Sequence, residues 1–466
     1  QALRTLANRL VGILHGCLAH GTLYMIGAYI GWTVFVRPDT FVDLLAPIAL
    51  LLTGLTLKNV WTPLTGRLNV KPTTRRVISW GLIALGIILA AAILKQYPIA
   101  IWDLENYTKG PVSLSFYADQ GIRMPVEIPT FDKISPILAI LGLVVASALA
   151  GLGISMLGAE VRTQKAQTWR SYVLFVLLVA LAVLVVVFNT PLTDWLITID
   201  STWLFMIAVV TAILSGAGLG AGMEMTLIRP LYSRPIYQLM LTLGLSAIGV
   251  EMVQAIWGRP AFTMPTPSIV KGSGEGCPAT SLASWLELKC TTIQFFEGRI
   301  RVYDEILIPI LGVLVLIAVW ILLKRTRIGM IIRAGVQDRQ MVEALGINVR
   351  RVFTMVFALG VGLATFGGVL AAPSSGLNTG MGGSLLTSAL IALAIGGLTS
   401  YPGAALGSLL VGLVTQFIIK YGQIGINLPF TDAVFKPSPP LVPASTVLLM
   451  VIVLLFLPGG IMGKKD

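Results

Sequence analysis

Uninterrupted apolar stretches of about 20 residues recur along the chain, and each is long enough to cross a hydrocarbon layer about 30 Å thick as an α-helix. A transmembrane barrel does not fit, because its strands would alternate apolar and polar residues. Of the 466 residues, 56% are hydrophobic and only 12% are charged, against about 25% charged residues in soluble domains. The sequence therefore predicts an all-α, polytopic bundle of transmembrane helices.

The charged residues between these stretches indicate how often the chain crosses the membrane. We expect about twelve spans, because loops rich in Lys and Arg then alternate with loops of mixed or acidic character. This alternation places both termini of the chain in the cytoplasm. The same loops explain the net charge of +12, so we expect no nucleic-acid binding. The expected spans are 10–36, 41–57, 76–101, 134–158, 172–188, 201–222, 236–257, 305–323, 352–372, 384–398, 404–419 and 444–457.

A basic segment between two of these spans, residues 324–351, holds seven Lys and Arg against two acids. Asp338 is placed to cap a short helix through "RQMVEAL", because a carboxylate accepts hydrogen bonds from the free N–H groups at a helix start. Gly346 is placed to end this helix, since glycine readily takes left-handed dihedrals, and Asn348 is placed to cap the next span. We expect a cytoplasmic helix of about two turns.

This short helix is expected to have an apolar ridge. Met341, Val342 and Leu345 fall on one side of the helix, whereas Arg339 and Glu343 lie elsewhere. One interpretation is a helix on the lipid surface, with arginine side chains against anionic headgroups. The other is a helix that inserts into a groove of a partner protein. The segment by itself supports both interpretations.

Five stretches carry a more specific pattern. They are "AHGTLYMIGAYIG" (19–31), "LIRPLYSRPIYQLMLTLGLSAIGVEMVQAIWG" (227–258), "RTRIGMIIRAGVQDRQMVEALGINVRRVFTMVFALGVGLATFGGVL" (325–370), "LIALAIGGLTSYPGAALGSLLVGL" (390–413) and "LLFLPGGIMGK" (454–464). Together, and in this order, they resemble the permeases of branched-chain amino-acid ABC importers.

The resemblance implies a domain organisation. Residues 1–36 correspond to an N-terminal permease helix, with most of the family's first helix missing before it. Residues 37–200 have no counterpart and are expected to be an inserted segment of four spans. Residues 201–466 correspond to the permease core, which contains the basic segment. Since four is an even number, the insertion leaves the orientation of the later spans unchanged.

The resemblance also implies partners. "EALG" followed by "IN" is similar to the coupling loop of ABC importer permeases. The residues expected to couple to an ATPase subunit are Asp338, Met341, Glu343, Ala344, Leu345 and Gly346. The family pattern further implies two ATPase subunits, a second related permease subunit, an extracytoplasmic substrate-binding protein, and a bacterial-type plasma membrane.

The chain itself shows no pattern for catalysis. "GGIMGKK" near the end has the wrong spacing for a nucleotide-binding loop, so ATP hydrolysis is expected on partner subunits. No paired carboxylates, Ser-His-Asp set or Cys/His cluster stands out. We therefore expect no enzymatic activity, no metal and no cofactor in this chain.

Polar residues within the spans are candidates for a substrate path, because polar and ionisable groups are costly in a membrane. The candidates are His20, Tyr24, Thr242, Ser246, Glu251 and Gln254, together with Gly21 beside His20 and Asn378 between two expected spans. His20 has an alternative role as a hydrogen-bonded packing residue. Alternatively, the hydroxyls of Thr242 and Ser246 donate hydrogen bonds to carbonyls of their own helix. The alternative for Glu251 is a carboxylate that reaches water at the membrane interface.

The stretch "AAPSSGLNTGMGGS" (371–384) interrupts a helical pattern. Together with "IGGLTSYPGAALG" it indicates a broken or re-entrant hairpin, an element that often contributes to substrate paths. A simple connecting loop is the alternative.

Cys277 and Cys290 share one long polar loop, which the charge pattern places outside. Thiols in an oxidising compartment form disulfides, so a disulfide between these residues is one expectation. Two unrelated reduced cysteines are the alternative.

Three functions remain open at this point. The first is a permease subunit that moves amino acids by alternating access. The second is a membrane scaffold or assembly subunit that reuses a permease fold, an alternative motivated by the inserted segment. The third is a secondary transporter, which would need ion-coupling carboxylates in mid-span, and the sequence has few. Branched-chain amino acids, urea and short amides all remain open as substrates.

Overall fold

The computed structural model describes residues 2–66, 72–97, 111–121, 134–158, 168–232, 234–272, 277–295, 298–337, 339–397, 400–424, 426–427, 434–435, 441–457 and 459–462. Its helices in this part of the chain are α1 (Ala2–Val36), α2 (Pro38–Gly66), α3 (Pro72–Leu94), α4 (Pro111–Asp119), α5 (Pro136–Gly158), α6 (Thr168–Val187), α7 (Asn189–Thr198), α8 (Ser201–Met223), α9 (Pro235–Trp257), α10 (Leu282–Leu288), α11 (Ile308–Arg325), α12 (Arg327–Gln337), α13 (Arg339–Ala344), α14 (Val349–Ser375), α15 (Met381–Gly396), α16 (Tyr401–Ile424) and α17 (Leu441–Phe456).

Short strands and irregular helical turns complete the described part. Strand β1 (Thr292–Phe295) pairs antiparallel with β2 (Gly298–Arg301), with Thr292 opposite Arg301. Strand β3 (Ile426–Asn427) pairs antiparallel with β4 (Val434–Phe435), with Ile426 opposite Phe435. The π-helical turns are Glu224–Ile228 and Val302–Leu307, and the 3₁₀ turns are Arg229–Leu231 and Ser268–Val270.

Seven helical stretches of the described residues are long and apolar enough to cross a membrane, and an eighth is added if the bent pair α6 and α7 counts as one span. The seven are Thr73–Leu94, Pro136–Met156, Ser201–Leu231, Ile236–Trp257, Val302–Arg325, Val349–Ser375 and Tyr401–Gly422. Helices α15 and α17 are apolar but shorter. The predicted all-α, multi-pass class is confirmed, whereas the count of about twelve spans stays a prediction.

The chain divides into two compact units. One consists of residues 1–31 and 208–466, and the other of residues 32–207. In the second unit α2 packs against α5 and α6, and α3 packs against α5. Inside this unit, the hydroxyls of Thr53 and Ser147 are 2.8 Å apart, so polar groups are paired within a helix contact. The assignment of residues 37–200 as an insertion remains a prediction.

In the first unit, α14 packs against both α1 and α8. Thr365 of α14 is 1% exposed, and it lies between Gly27 of α1 and Gly216 of α8. A Cβ atom at either glycine would overlap the Thr365 side chain. Small residues at these two positions therefore let three helices approach closely, the usual way in which membrane helices pack.

Helices α15 and α16 form a tight hairpin. A Cβ atom at Gly407 of α16 would lie 2.9 Å from the backbone nitrogen of Gly396 and would overlap the carbonyl oxygen of Ala392. Ile395 is fully buried in the small core of this hairpin. The backbone after α17 also contacts the end of α15, because the Ile461 N–H donates to the Ile395 carbonyl at 2.9 Å.

The break before α15 is shorter than the interruption expected at 371–384. Helix α14 continues through Pro373 to Ser375, where Gly376 ends it with a φ of +71°. The chain then pairs briefly with another loop, as the Leu377 N–H donates to the Phe262 carbonyl at 2.7 Å. Pro373 removes one helix hydrogen bond without ending the helix, whereas the left-handed glycine ends it.

The loop between α9 and α11 has its own small fold. The structure joins Cys277 and Cys290 in a disulfide across 13 residues of sequence. Helix α10 begins with a capping box in which the Ser281 hydroxyl accepts from the Ser284 N–H at 3.2 Å. The Trp285 indole N–H donates to the Cys290 carbonyl at 2.9 Å. The disulfide and the indole thus fix α10 onto the hairpin that follows it.

Candidate functional site

A small cavity of about 40 Å³ lies where α1, α9 and the first turn of α15 meet. The hydroxyl of Thr22 on α1 donates to the hydroxyl of Ser246 on α9 at 2.7 Å. The residues lining the cavity are Thr22, Met25, Ser246, Val250, Thr379, Gly382, Gly383 and Leu386. The cavity therefore combines hydroxyl groups with apolar side chains, and it has room for only a few water molecules.

Glycines bring the lining helices together. A Cβ atom at Gly21 of α1 would lie 2.7 Å from the Gly382 carbonyl oxygen. A Cβ atom at Gly249 of α9 would lie 2.5 Å from the Cγ2 atom of Thr22. Both approaches are closer than a side chain allows, so these glycines set how near α15 and α9 come to α1. They place the hydroxyls of Thr22 and Ser246 within hydrogen-bond distance.

Some of the predicted path residues lie at this cavity. Ser246 lines it, and Gly21 holds one of its walls close. The Asn378 side chain accepts from the Gly380 N–H at 2.9 Å, so it shapes the turn that leads into α15. This turn also carries Thr379, which lines the cavity.

Other predicted path residues lie elsewhere. His20 stacks edge-on against Phe357 of α14, with 5.3 Å between the ring centroids. Thr242 is buried, and its hydroxyl donates to the Gln238 and Leu239 carbonyls of its own helix. Glu251 is exposed and Gln254 is half-buried. The backbone carbonyl of Tyr24 lies against Gly368 of α14, in the space that a Cβ atom at Gly368 would need. None of these five side chains is among the described residues that line the cavity.

Sequence reasoning missed most of the cavity lining. Met25, Val250 and Leu386 look like ordinary span residues, and Thr22 is one small hydroxyl in an apolar run. The sequence does carry one signal for Thr22, because it directly follows the "AHG" motif and lies two residues from Tyr24. Its partner Ser246 is 224 residues away in sequence, so no local pattern connects the two.

The basic segment contains two helices, α12 and α13, of which only the second was expected. Helix α13 ends where predicted, since Gly346 takes a φ of +79° and its N–H donates to the Glu343 carbonyl at 3.0 Å. The Asn348 side chain caps α14 by accepting from the Arg351 N–H at 3.2 Å. Asp338, the expected cap of α13, lies outside the described residues.

The apolar ridge of α13 is divided. Val342 is 3% exposed, whereas Met341 and Leu345 are 64% and 70% exposed. The three residues therefore do not form one continuous exposed ridge. Val342 packs inward because α13 contacts α12 and α14, and Met341 and Leu345 are left on the surface. Glu343 and Ala344 are exposed as well.

Comparison with known proteins identifies relatives over much of the chain. Residues 171–458, more than half of the 466, match the family described as "Branched-chain amino acid transport system / permease component". The chain is similar to the high-affinity branched-chain amino acid transport system permease protein LivH of Escherichia coli K12, with 27% identity over 271 residues. This alignment covers 58% of the chain and 78% of the relative.

Two further relatives match shorter parts. The high-affinity branched-chain amino acid transport system permease protein BraD of Pseudomonas aeruginosa is 32% identical over 171 residues, which are 36% of the chain and 51% of the relative. The fructose import permease protein FruF of Bifidobacterium longum is 26% identical over 206 residues, 41% of the chain and 52% of the relative. No solved structure matches significantly.

These relatives are permease proteins, which move a solute rather than catalyse a covalent reaction, and the helices of this chain are those of a multi-pass membrane protein. The family match includes α9, α15 and the basic segment, which contribute two walls of the cavity and the helix α13. The chain belongs to the family of permease components of branched-chain amino acid transport systems.

Proposed function

We propose that the chain is the membrane permease subunit of an ABC importer that moves branched-chain or related amino acids by alternating access. The observation that carries this proposal is the family match over residues 171–458, and the cavity between α1, α9 and the first turn of α15 is the proposed binding site. Relatives named for branched-chain amino acid transport support the substrate class. Transporter sites are often built where a helix is interrupted, as α14 and α15 are here.

The chemistry of the cavity suits a neutral amino-acid zwitterion. Of the described residues that line it, none is charged. The positive end of the α15 dipole faces the same space, and such helix starts favour carboxylates. The hydroxyls of Thr22 and Ser246 suit an ammonium group, and Met25, Val250 and Leu386 suit an aliphatic side chain. The cavity has room for only a few water molecules, so the helices around it would have to move apart to admit an amino acid.

The wider path is proposed from the candidates in the sequence. It would include His20, Gly21, Tyr24, Thr242, Ser246, Glu251, Gln254 and Asn378. Residues that lie away from the cavity would act in entry, exit or helix movement rather than in binding.

The proposed partners follow from α13. Its exposed apolar residues, Met341 and Leu345, would sit in a cleft of an ATPase subunit, with Asp338, Glu343, Ala344 and Gly346 completing the contact. A second ATPase subunit, a second related permease and an extracytoplasmic substrate-binding protein would complete the importer. In a bacterial inner membrane, with both termini in the cytoplasm, α13 would lie on the cytoplasmic side, where ATP is present.

The proposal is tested by purifying the tagged chain from its native membrane and identifying co-purifying subunits by mass spectrometry. The complex is then reconstituted in proteoliposomes with its binding protein, and uptake of radiolabelled leucine is measured with and without ATP. ATP-dependent accumulation supports the proposal. Purification with a larger assembly that lacks an ATPase, and no leucine uptake, would favour the scaffold function instead.

Replacing Gly383 with leucine is expected to reduce leucine uptake by at least about tenfold. A Cβ atom at Gly383 meets no atom within 4 Å, so the side chain is tolerated, but it projects from a residue that lines the cavity. Uptake is compared at equal amounts of folded protein.

The matched control for this variant is Gly244→Leu. Gly244 lies in α9 and also has open space at its Cβ position, yet it does not line the cavity. The control is expected to transport normally. Equal uptake by both variants would remove the cavity from the substrate path.

A further inference from the structure

A charged cluster around one buried carboxylate lies at the end of α8, away from the cavity. Glu224 opens the π-helical turn Glu224–Ile228 and is 1% exposed. Its carboxylate forms an ion pair with Arg229, with 2.9 Å between Oε2 and Nη2. The Tyr232 hydroxyl donates to the other oxygen, Oε1, at 2.7 Å. Two groups of the same short stretch, Arg229 and Tyr232, therefore converge on the Glu224 carboxylate.

The fourth member of the cluster comes from another helix. The Thr354 hydroxyl of α14 donates to Glu224 Oε2 at 2.6 Å, and Arg229 Nη2 donates to the same hydroxyl at 2.6 Å. Thr354 is 130 residues from Glu224 in sequence. Its hydroxyl thus closes a network in which both carboxylate oxygens are satisfied, and the network joins the end of α8 to the beginning of α14.

Stability alone is a weak reason for such a network. Removing charges from water is costly, and apolar residues of similar volume often stabilise a protein as well as a buried ion pair does. What a charged, directional network adds is a defined relative position of the two elements it joins. A π-helical turn, such as the one that carries Glu224, is also an arrangement often found at functional sites.

The position of the cluster connects it to the proposed transport cycle. Helix α14 begins at Val349, three residues after Gly346 ends the turn that follows α13. Further along, α14 holds Thr365 between α1 and α8, and it ends at the break that leads into α15. The same helix therefore runs from the helix proposed to meet the ATPase to the turn that lines the cavity.

We propose that Glu224 is a positioning residue for energy coupling: with Arg229, Tyr232 and Thr354 it latches the end of α8 to the start of α14. A displacement of α13 then moves α8 and α14 as one body, and the movement reaches α1, which packs against α14. Without these contacts, α14 moves relative to α8, and the displacement of α13 does not reach the helices that line the cavity. This inference rests on the proposed ABC-importer function.

The test uses the assembled transporter in proteoliposomes, with leucine uptake and ATP hydrolysis measured on the same sample. Thr354→Val removes the hydroxyl that joins the two helices, but it retains the volume and the Glu224–Arg229 pair. We expect the number of leucine molecules transported per ATP hydrolysed to fall about tenfold. A factor of this size is typical of the coupling between two sites of a protein. Thr354→Ser retains the hydroxyl and is expected to restore the ratio to within about twofold of the wild type.

The melting temperature of each variant separates positioning from plain stabilisation. If Thr354→Val melts earlier but keeps the wild-type ratio of transport to hydrolysis, the cluster only stabilises the fold and the inference is overturned. If the wild-type complex itself shows no ATP-dependent leucine uptake, the proposed function fails, and the inference fails with it. A lowered ratio in Thr354→Val that is restored in Thr354→Ser supports the latch.

Discussion

Gly407→Val is expected to destabilise the protein by about 3 kcal/mol or more, at the upper end of the usual cost of overpacking. A Cβ atom at this position would overlap the Ala392 carbonyl oxygen and would lie 2.9 Å from the Gly396 nitrogen. These are backbone atoms in a neighbouring helix and at its end, so no side-chain rotation relieves the overlap. Helices α15 and α16 would have to separate, exposing the buried Ile395.

The control lies on the same helix. Gly412 also belongs to α16, but a Cβ atom there meets nothing within 4 Å, and the residue is exposed. Gly412→Val makes the same chemical change and is expected to leave stability unchanged or slightly raised, because valine is a better helix former than glycine. The measurement is the fraction of monodisperse protein in detergent after stepwise heating. Similar midpoints for the two variants would contradict the tight hairpin.

The second large effect is expected at α13. Leu345→Asp should weaken binding of the ATPase subunit by about 2 kcal/mol or more, the cost of losing an interface anchor, which corresponds to about 30-fold in affinity. Leu345 is 70% exposed, so it contributes little to the fold of the isolated chain. In an apolar cleft, however, the new carboxylate would have to lose its water. Leucine uptake should fall with the ATPase content of the complex.

Leu345→Met is the conservative variant for this experiment, because methionine keeps an apolar side chain of similar volume. It should retain both the ATPase and uptake. Co-purification is quantified by the molar ratio of ATPase to permease on a calibrated gel, and the melting temperature of the chain alone is recorded for each variant. Normal assembly and uptake in Leu345→Asp would exclude α13 as the coupling contact. Labelling that places α13 outside the cell would exclude it equally.

The basic segment shows how much of a local structure the sequence carries. Gly346 and Asn348 were predicted to end one helix and cap the next, and both do so. These roles depend on dihedral preference and on a side chain that reaches its own neighbouring backbone. The division of the ridge, with Val342 inside and Leu345 outside, was not predicted. It depends on where α12 and α14 pack, and helical periodicity contains no information about that.

The break before α15 shows the same limit. Proline and a run of glycines indicated an interruption at 371–384, yet α14 passes Pro373 and stops at Gly376. A proline weakens a helix locally, but neighbouring helices that hold the rest of its length decide whether it continues. In α14, Thr365 packs between α1 and α8 and Gly368 packs against α1, and the helix persists for two residues beyond the proline.

The sequence by itself determined the membrane class, the helical character and the family, because apolar length, charge between spans and ordered motifs are properties of consecutive residues. Only the tertiary structure decided which residues form the cavity and the charged cluster. Thr22 meets Ser246, and Glu224 meets Thr354, across 224 and 130 residues of chain. The reason is physical: helical periodicity describes one helix at a time, and only the packing of helices against one another decides which of their polar groups meet.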